Sequence, residues 1–320
     1  MRNILLLFST ILMNLSSFSQ DYLINLNNTE DANEFLQTYL SPLGEVIGAG
    51  LNNGWYNTAK PHKLGGFDVT FTLNTVVIPE GKQNFNPNKL SNFSSIKTST
   101  PTIIGSGEGA IINYQGEEFN MPNQGTELKY LPIPMLAVGL GLIKKSELNI
   151  RYVPNYKYNA GFVGKGSIGL WGVGLKHDIL QWIPVAGDAL PISLSIQAGY
   201  TNLNTKIEIE SQGVAQEVDL DVKATTINLI ASKKILILTG YAGIGYNTST
   251  TLFNGNTKFE IGSGSKVLNF NVPLEMTFKS QNEFRANIGI RFNIAVIAIQ
   301  ANYTYSKYPA ATLGVGVGLR

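Results

Sequence analysis

The side chains best suited to chemistry are few and scattered. The 320 residues hold two histidines, His62 and His177, and no cysteine. A zinc site needs clustered nitrogen and sulfur donors, so neither histidine is expected to bind a metal. Two glycine-rich runs, Gly105-Ser106-Gly107-Glu108-Gly109 and Gly262-Ser263-Gly264-Ser265-Lys266, lack the spacing of a phosphate loop and read as flexible connections. There is no Gly-x-Ser-x-Gly elbow. A serine hydrolase using either histidine as base has no spacing to support it. No enzyme activity and no cofactor are expected.

Charge offers two further candidates. Glu208, Glu210, Glu217, Asp219 and Asp221 alternate with Ile207, Ile209, Val218, Leu220 and Val222 around Gly213. Alternating charge of this kind is usually a solvated face, so a projecting hairpin is the expectation and cation binding the alternative. Arg151, Arg285 and Arg291 are the polar members of strongly apolar alternating runs, as are Asp68, Gln197 and Gln300. If the apolar members meet lipid, these six face inward. Inward arginines can tune a pore for anions, or pair with a carboxylate such as Asp68 to brace a closed barrel.

The elements that must position them are strands. From Gly65 onward the apolar period is two, as in Phe67, Val69, Phe71 and Leu73, or Phe284, Ile288, Ile290 and Phe292. Similar runs of about ten residues recur to the C-terminus, the length of a tilted strand crossing lipid. Connections alternate between short, at Lys144–Ser146, Ser232–Lys234 and Phe292–Ile294, and long. Counting back from Ala311 places strands near 295, 284–292, 234–247, 217–231, 191–203, 164–176, 147–153, 133–143 and 65–78. The regions 79–130 and 248–282 can each hold another hairpin, so ten to fourteen strands are expected. The segment 178–184 reads as a short interfacial helix between strands. Before the strands, Asn28 to Gly50 reads as the one sizeable helix, with Glu30 and Asp31 in its first turn. Pro42 should interrupt it.

Composition decides between a soluble sandwich and a barrel. Charged residues make up 14 % and hydrophobic residues 43 %. A chain with one face in lipid must trade charge for uncharged polar residues. Tyr200, Tyr246, Phe284, Phe292, Tyr303, Tyr305 and Tyr308 fall toward strand ends, as in aromatic girdles. An open sheet edge in lipid is prohibitive, so the sheet must close. The fold class expected is all-β: an antiparallel transmembrane β-barrel whose leading helix plugs the lumen or packs beneath it. Residues 1–20 read as a cleaved signal peptide, with a positive start and the apolar run Ile4–Met13. Residues 21–64 form the helical segment and 65–320 the barrel. A net charge of +2 gives no basis for a nucleic-acid partner.

Two stretches carry a family resemblance: Gly166 to Ile179 with Gln181-Trp182-Ile183-Pro184, and the end from Gly289-Ile290-Arg291-Phe292 to Gly318-Leu319-Arg320. The chain resembles an uncharacterised outer-membrane barrel family of Bacteroidota, a domain of unknown function, and more distantly the fatty-acid transporter barrels. It departs from typical barrels in ending on Leu319-Arg320 rather than on an aromatic residue. The resemblance implies an outer-membrane location and the barrel fold, and it supplies no activity. A barrel in that place is expected to meet outer-membrane lipid and the barrel-assembly machinery, and passage of a small or hydrophobic solute is the functional expectation. A closed barrel working through its surface loops, and a soluble secreted sandwich that binds a ligand, are the alternatives.

Overall fold

The computed structural model describes residues 22–319 except 26–28, 123–128, 161–163, 184–190, 212–213, 256–258, 263–265 and 271–273. The expected signal peptide, part of the second glycine-rich run and part of the acidic stretch therefore lie outside the described residues. Ten antiparallel strands close into a barrel: β1 (Phe67–Val77), β2 (Tyr130–Leu142), β3 (Ser146–Ala160), β4 (Gly164–Asp178), β5 (Ser193–Ser211), β6 (Val214–Ile235), β7 (Leu238–Gly255), β8 (Leu274–Ile294), β9 (Ile297–Tyr305) and β10 (Ala310–Leu319). Each pairs with its sequence neighbour, and β10 pairs with β1 to close the ring, Leu319 opposite Phe67. No edge is left, which is what lipid requires of a sheet.

The two ends differ. At one, strands turn tightly. Ile235 pairs with Leu238, Ile294 with Ile297 and Leu142 with Ser146. Leu236, Ala295, Lys144 and Lys145 adopt positive φ to make these turns. The β4–β5 connection, also at this end, holds a 3-10 turn at Leu180–Trp182. At the other end, β5 to β8 extend well past their neighbours.

The outer surface shows where lipid would begin and end. On β8, Phe284, Ile288, Ile290 and Phe292 face out, while Arg285, Asn287 and Arg291 are buried inside. The span from Phe284 to Phe292 covers about 20 Å along the barrel axis at roughly 3.3 Å per residue and 40° of tilt. Nearer the long-loop end the polarity inverts: Glu275, Thr277 and Lys279 face out, and Met276 and Phe278 face in. The register shift between Asn247 and Ser249 inserts an extra residue in β8 and permits this change of face. On β6 the same inversion needs no bulge. Leu220, Val222 and Ala224 are buried inside, then Thr226 and Asn228, while Ile227 and Leu229 face out. The wall thus has an apolar-out belt and, beyond it, a polar-out sleeve.

The sleeve encloses an apolar core, and its centre is α1 (Thr29–Leu51). Phe35, Leu36, Leu43, Val46 and Ile47 pack with Val222, Phe253, Met276, Phe278 and Ile133. Contrary to the expected break, Pro42 lies within a continuous helix. The helix ends at Leu51, within a residue of the expected Gly50, and runs through Gly48. A Cβ there would stand 2.1 Å from Ser249 Oγ, so glycine serves close approach to the wall rather than termination. Residues 79–122 cap this end with small sheets, Asn84–Phe85 against Thr100–Pro101 and Phe93–Ser94 against Ile111–Tyr114 and Glu117–Asn120. They supply Phe85, Phe93 and Phe119, whose rings lie 6.1, 5.3 and 6.0 Å from that of Phe35. The extra strands that region 79–130 was expected to hide are in the cap, outside the wall. Of the expected girdle residues, Tyr246, Phe284, Phe292, Tyr303 and Tyr305 are exposed on the outside. Tyr308 is not: it is buried and donates to Glu45 Oε2 at 2.6 Å, because it belongs to the cap-helix contact.

Candidate functional site

Below the apolar core, within the belt, the lumen is polar. Outward positions must be apolar here, and strand alternation puts the remaining polar residues inside. The chain leaves α1 and descends through this space as residues 52–66, reaching β1 at the short-turn end.

Two wall arginines hold the foot of the helix. The last turn of α1 carries no basic residue of its own. Arg151 Nη1 donates to the Leu51 carbonyl at 2.8 Å and Nη2 to the Asn53 carbonyl at 2.6 Å. Arg285 Nη1 donates to the Asn52 carbonyl at 2.7 Å and Nη2 to Asn53 Oδ1 at 2.9 Å. These carbonyls end the helix and carry the negative pole of its dipole, so the wall provides the positive cap the helix lacks. The Arg151 guanidinium also lies 3.6 Å from the centre of the Trp55 ring. Gly174 and Gly199 make room for that ring. A Cβ on Gly199 would stand 2.5 Å from it.

Further down, Tyr56 donates to Asn287 Oδ1 at 2.7 Å, and Arg291 Nη1 donates to Asn57 Oδ1 at 2.8 Å. The Ala59 amide donates to Ser232 Oγ, and Ser195 Oγ donates to the Ala59 carbonyl. The descent ends in a buried charged cluster. Glu147 Oε2 accepts from the His62 amide at 2.9 Å and lies 2.7 Å from His62 Nδ1. Its other oxygen accepts from Lys176 Nζ at 2.8 Å, and Asp68 Oδ2 lies 3.5 Å from His62 Nε2.

All six residues expected at the lumen are buried there, from 0 % exposure for Gln197 to 8 % for Asp68. Gln197 Oε1 accepts from Asn228 Nδ2, and Gln300 packs against Gly314. The structure does not gather the six into one site. The brace expected between an arginine and a carboxylate is replaced, for Arg151 and Arg285, by bonds to the plug's own backbone and amide groups. Sequence reasoning missed Glu147 and Lys176, which pair across β3 and β4. Each holds an inward place in the alternation, and that was the signal available. The leading segment was expected to plug the lumen or pack beneath it, but the individual bonds of residues 51–59 were not foreseen, because they depend on meeting the wall. His177 lies apart from His62, with Nδ1 2.8 Å from Ser146 Oγ and Nε2 accepting from Trp182 Nε1 at 2.9 Å. Among the described residues no three His, Asp or Glu side chains are arranged to hold a metal ion. On the acidic hairpin, Asp221 accepts from Asn202 and Asp219 pairs with Lys206 at 3.3 Å. The side chains of Glu208, Glu210 and Glu217 lie outside the described residues.

A family pattern matches residues 1–319. The chain belongs to the family of unknown function DUF6588. Comparison with curated proteins finds no match. Among solved structures, the chain is similar to the translocator domain of autotransporter NalP from Neisseria meningitidis, at 11 % identity over 91 % of this chain and 99 % of that one, with a TM-score of 0.36. It is similar to the beta domain of the Bordetella autotransporter BrkA, at 12 % identity over 79 % and 98 %, with a TM-score of 0.39. It is similar to the Ralstonia pickettii toluene transporter TbuX, at 7 % identity over 82 % and 91 %, with a TM-score of 0.25. In this member of DUF6588 the descending segment occupies the lumen, bonded to the wall at Arg151, Arg285, Asn287 and Arg291. A water-filled pore would leave inward polar groups exposed, whereas here Arg151, Gln197, Arg285, Arg291 and Gln300 are buried against the descending segment or the wall.

Proposed function

We propose that this protein is an outer-membrane barrel closed at rest by its own N-terminal segment, with the short-turn end in the periplasm and the long-loop cap at the cell surface. A cleaved leader at residues 1–20 delivers it, and the assembly machinery inserts it with the apolar belt in lipid. The protein works through its surface cap, as a structural or interaction barrel, and has no enzymatic role. The observation that carries this reading is the bonding of Arg151 and Arg285 to the foot of α1, which leaves the lumen side chains buried. Purified protein in planar bilayers is expected to show no steady conductance, and a large steady current would overturn the closed reading.

Gated passage of a small or hydrophobic solute is the second reading, and one observation favours it. The seal between plug and wall is polar and incompletely paired. Trp55 Nε1, Gln197 Nε2 and Asn228 Oδ1 are buried with no protein partner. Each such group costs about 1–3 kcal/mol unless water reaches it, so this seam separates more readily than a packed apolar core. Solute uptake by proteoliposomes separates the two readings.

A further inference from the structure

The direction of the plug has a consequence for the N-terminus. The start of α1 lies at the long-loop end, where Phe35 packs against Phe93 and Phe119 of the cap, and Tyr114 and Asn92 of the cap donate to Asp31. Its foot lies inside the belt, held by Arg151 and Arg285. The chain then runs on to the short-turn end. There the Gly141 amide donates to the Gly66 carbonyl at 2.8 Å, and the Gly65 amide donates to the Gly141 carbonyl at 3.3 Å. A second observation agrees independently. Tyr22–Asn25 pairs in parallel with Lys266–Asn269, in the long β7–β8 connection at the cap end.

We infer that the barrel displays its N-terminal segment on the cell surface, having carried residues 29–62 through its own lumen. The two ends of the barrel sequence thereby part company. The first strand starts at the periplasmic end, as the last one finishes there, yet Tyr22–Asn25 and the start of α1 lie at the opposite end. The wall must close around a chain that already spans it, or the segment must pass outward before the cap folds over α1. The displayed segment is anchored by strand addition: Tyr22–Asn25 joins the strands Lys266–Phe270 and Phe259–Gly262 as a third member.

This inference rests on the orientation proposed above, and the test separates the two. The chain has no cysteine, so single cysteines report position without background. Asn33→Cys places a thiol on the exposed side of the first turns of α1, Ile96→Cys one on the cap, and Ile143→Cys one in a tight turn. Intact cells are treated with a membrane-impermeant maleimide, before and after permeabilising the outer membrane. Heat-modifiable migration confirms that each variant is folded, and Gln37→Cys, about one turn further along α1, repeats the reading should Asn33→Cys fail to fold. Full labelling of Asn33→Cys and Ile96→Cys in intact cells, with Ile143→Cys labelled only after permeabilisation, is the expected result. If Ile96→Cys labels in intact cells and the helix cysteines do not, surface display is overturned while the orientation stands. If only Ile143→Cys labels, the orientation is reversed and the display inference fails with it.

Discussion

At the scale of single residues, the plug is held by a few side chains that polarise or make space. Arg151→Met removes the donors to the Leu51 and Asn53 carbonyls without removing bulk. Each buried carbonyl left unpaired costs about 1–3 kcal/mol. The unfolding midpoint in detergent should fall accordingly, and Arg151→Lys should recover only part of it, because an ammonium cannot reproduce the fork. Gly199→Val tests space rather than charge. Its side chain occupies the position of the Trp55 ring, so the plug should unseat, with a red shift in tryptophan emission and proteolysis of residues 51–62. An unchanged spectrum would remove Trp55 from the seal. A third case depends on pH. Glu45 sits in the sleeve, above the belt. Burial pushes its carboxyl up, but hydrogen bonds from Tyr308 and Lys307 and the charges of Lys82 and Lys307 outweigh burial and hold it below the usual carboxylate value. Lys307 is pushed down by burial, yet Glu45 and Glu283 more than restore it and raise it. The Glu45 contribution is therefore complete above about pH 4.3 and lost as pH falls through its lower folded value. The Lys307 contribution is complete below about pH 10.4 and lost as pH rises past its higher folded value. Lys307 is 39 % exposed, so this loss is expected to stay within about 1 kcal/mol. Glu45→Gln should flatten the acid limb of stability against pH, and equal slopes for both proteins would exclude the cluster as its source.

At the scale of elements, each long strand carries two opposite patterns in series. Apolar residues face out where lipid lies and face in where α1 lies. On β8 period two predicts strands in both halves but is silent on which face is which, since the apolar phase runs on unchanged across the bulge; on β6 the phase itself shifts, from Leu220, Val222 and Ala224 to Ile227 and Leu229. The measurement is depth-dependent. Ile288, opposite Ala242 and midway between Phe284 and Phe292, is 68 % exposed on the belt. Ile288→Arg should cost about 2–4 kcal/mol in lipid, whereas Thr250→Arg, beyond Tyr246 on the sleeve, should cost less than about 1 kcal/mol. Equal costs would mean that the sleeve is also in lipid. The helix shows the converse lesson. Pro42 argues locally for a break, but packing inside a closed wall overrides it.

At the scale of the whole molecule, the wall and the plug stabilise each other but do different things. Backbone pairing closes the ring without help from α1. Deleting residues 29–62 should therefore leave a heat-modifiable barrel and convert it from non-conducting to conducting in planar bilayers. Because Arg151, Arg285 and Arg291 would then face water, the open form should prefer anions, and Arg285→Gln in that background should reduce the preference. A deletion variant that stays closed would show that the wall side chains alone fill the lumen.

Much of this was legible in the residues themselves. Alternation, low charge and the rhythm of short and long connections determine an antiparallel closed barrel and place its strands, because strand pairing between neighbours is a local matter and lipid forbids an open edge. The inward side of Asp68, Arg151, Gln197, Arg285, Arg291 and Gln300 followed from the same alternation. Only the tertiary structure decided what those side chains meet. The arginines bond to carbonyls some hundred or more residues away in sequence, Glu147 and Lys176 acquire a role only when His62 arrives between the strands, and Tyr308 turns inward because Glu45 waits there. The direction in which α1 runs through the lumen is a fact of threading. No residue type records it, since a helix reads the same from its own sequence whichever end of a barrel it enters.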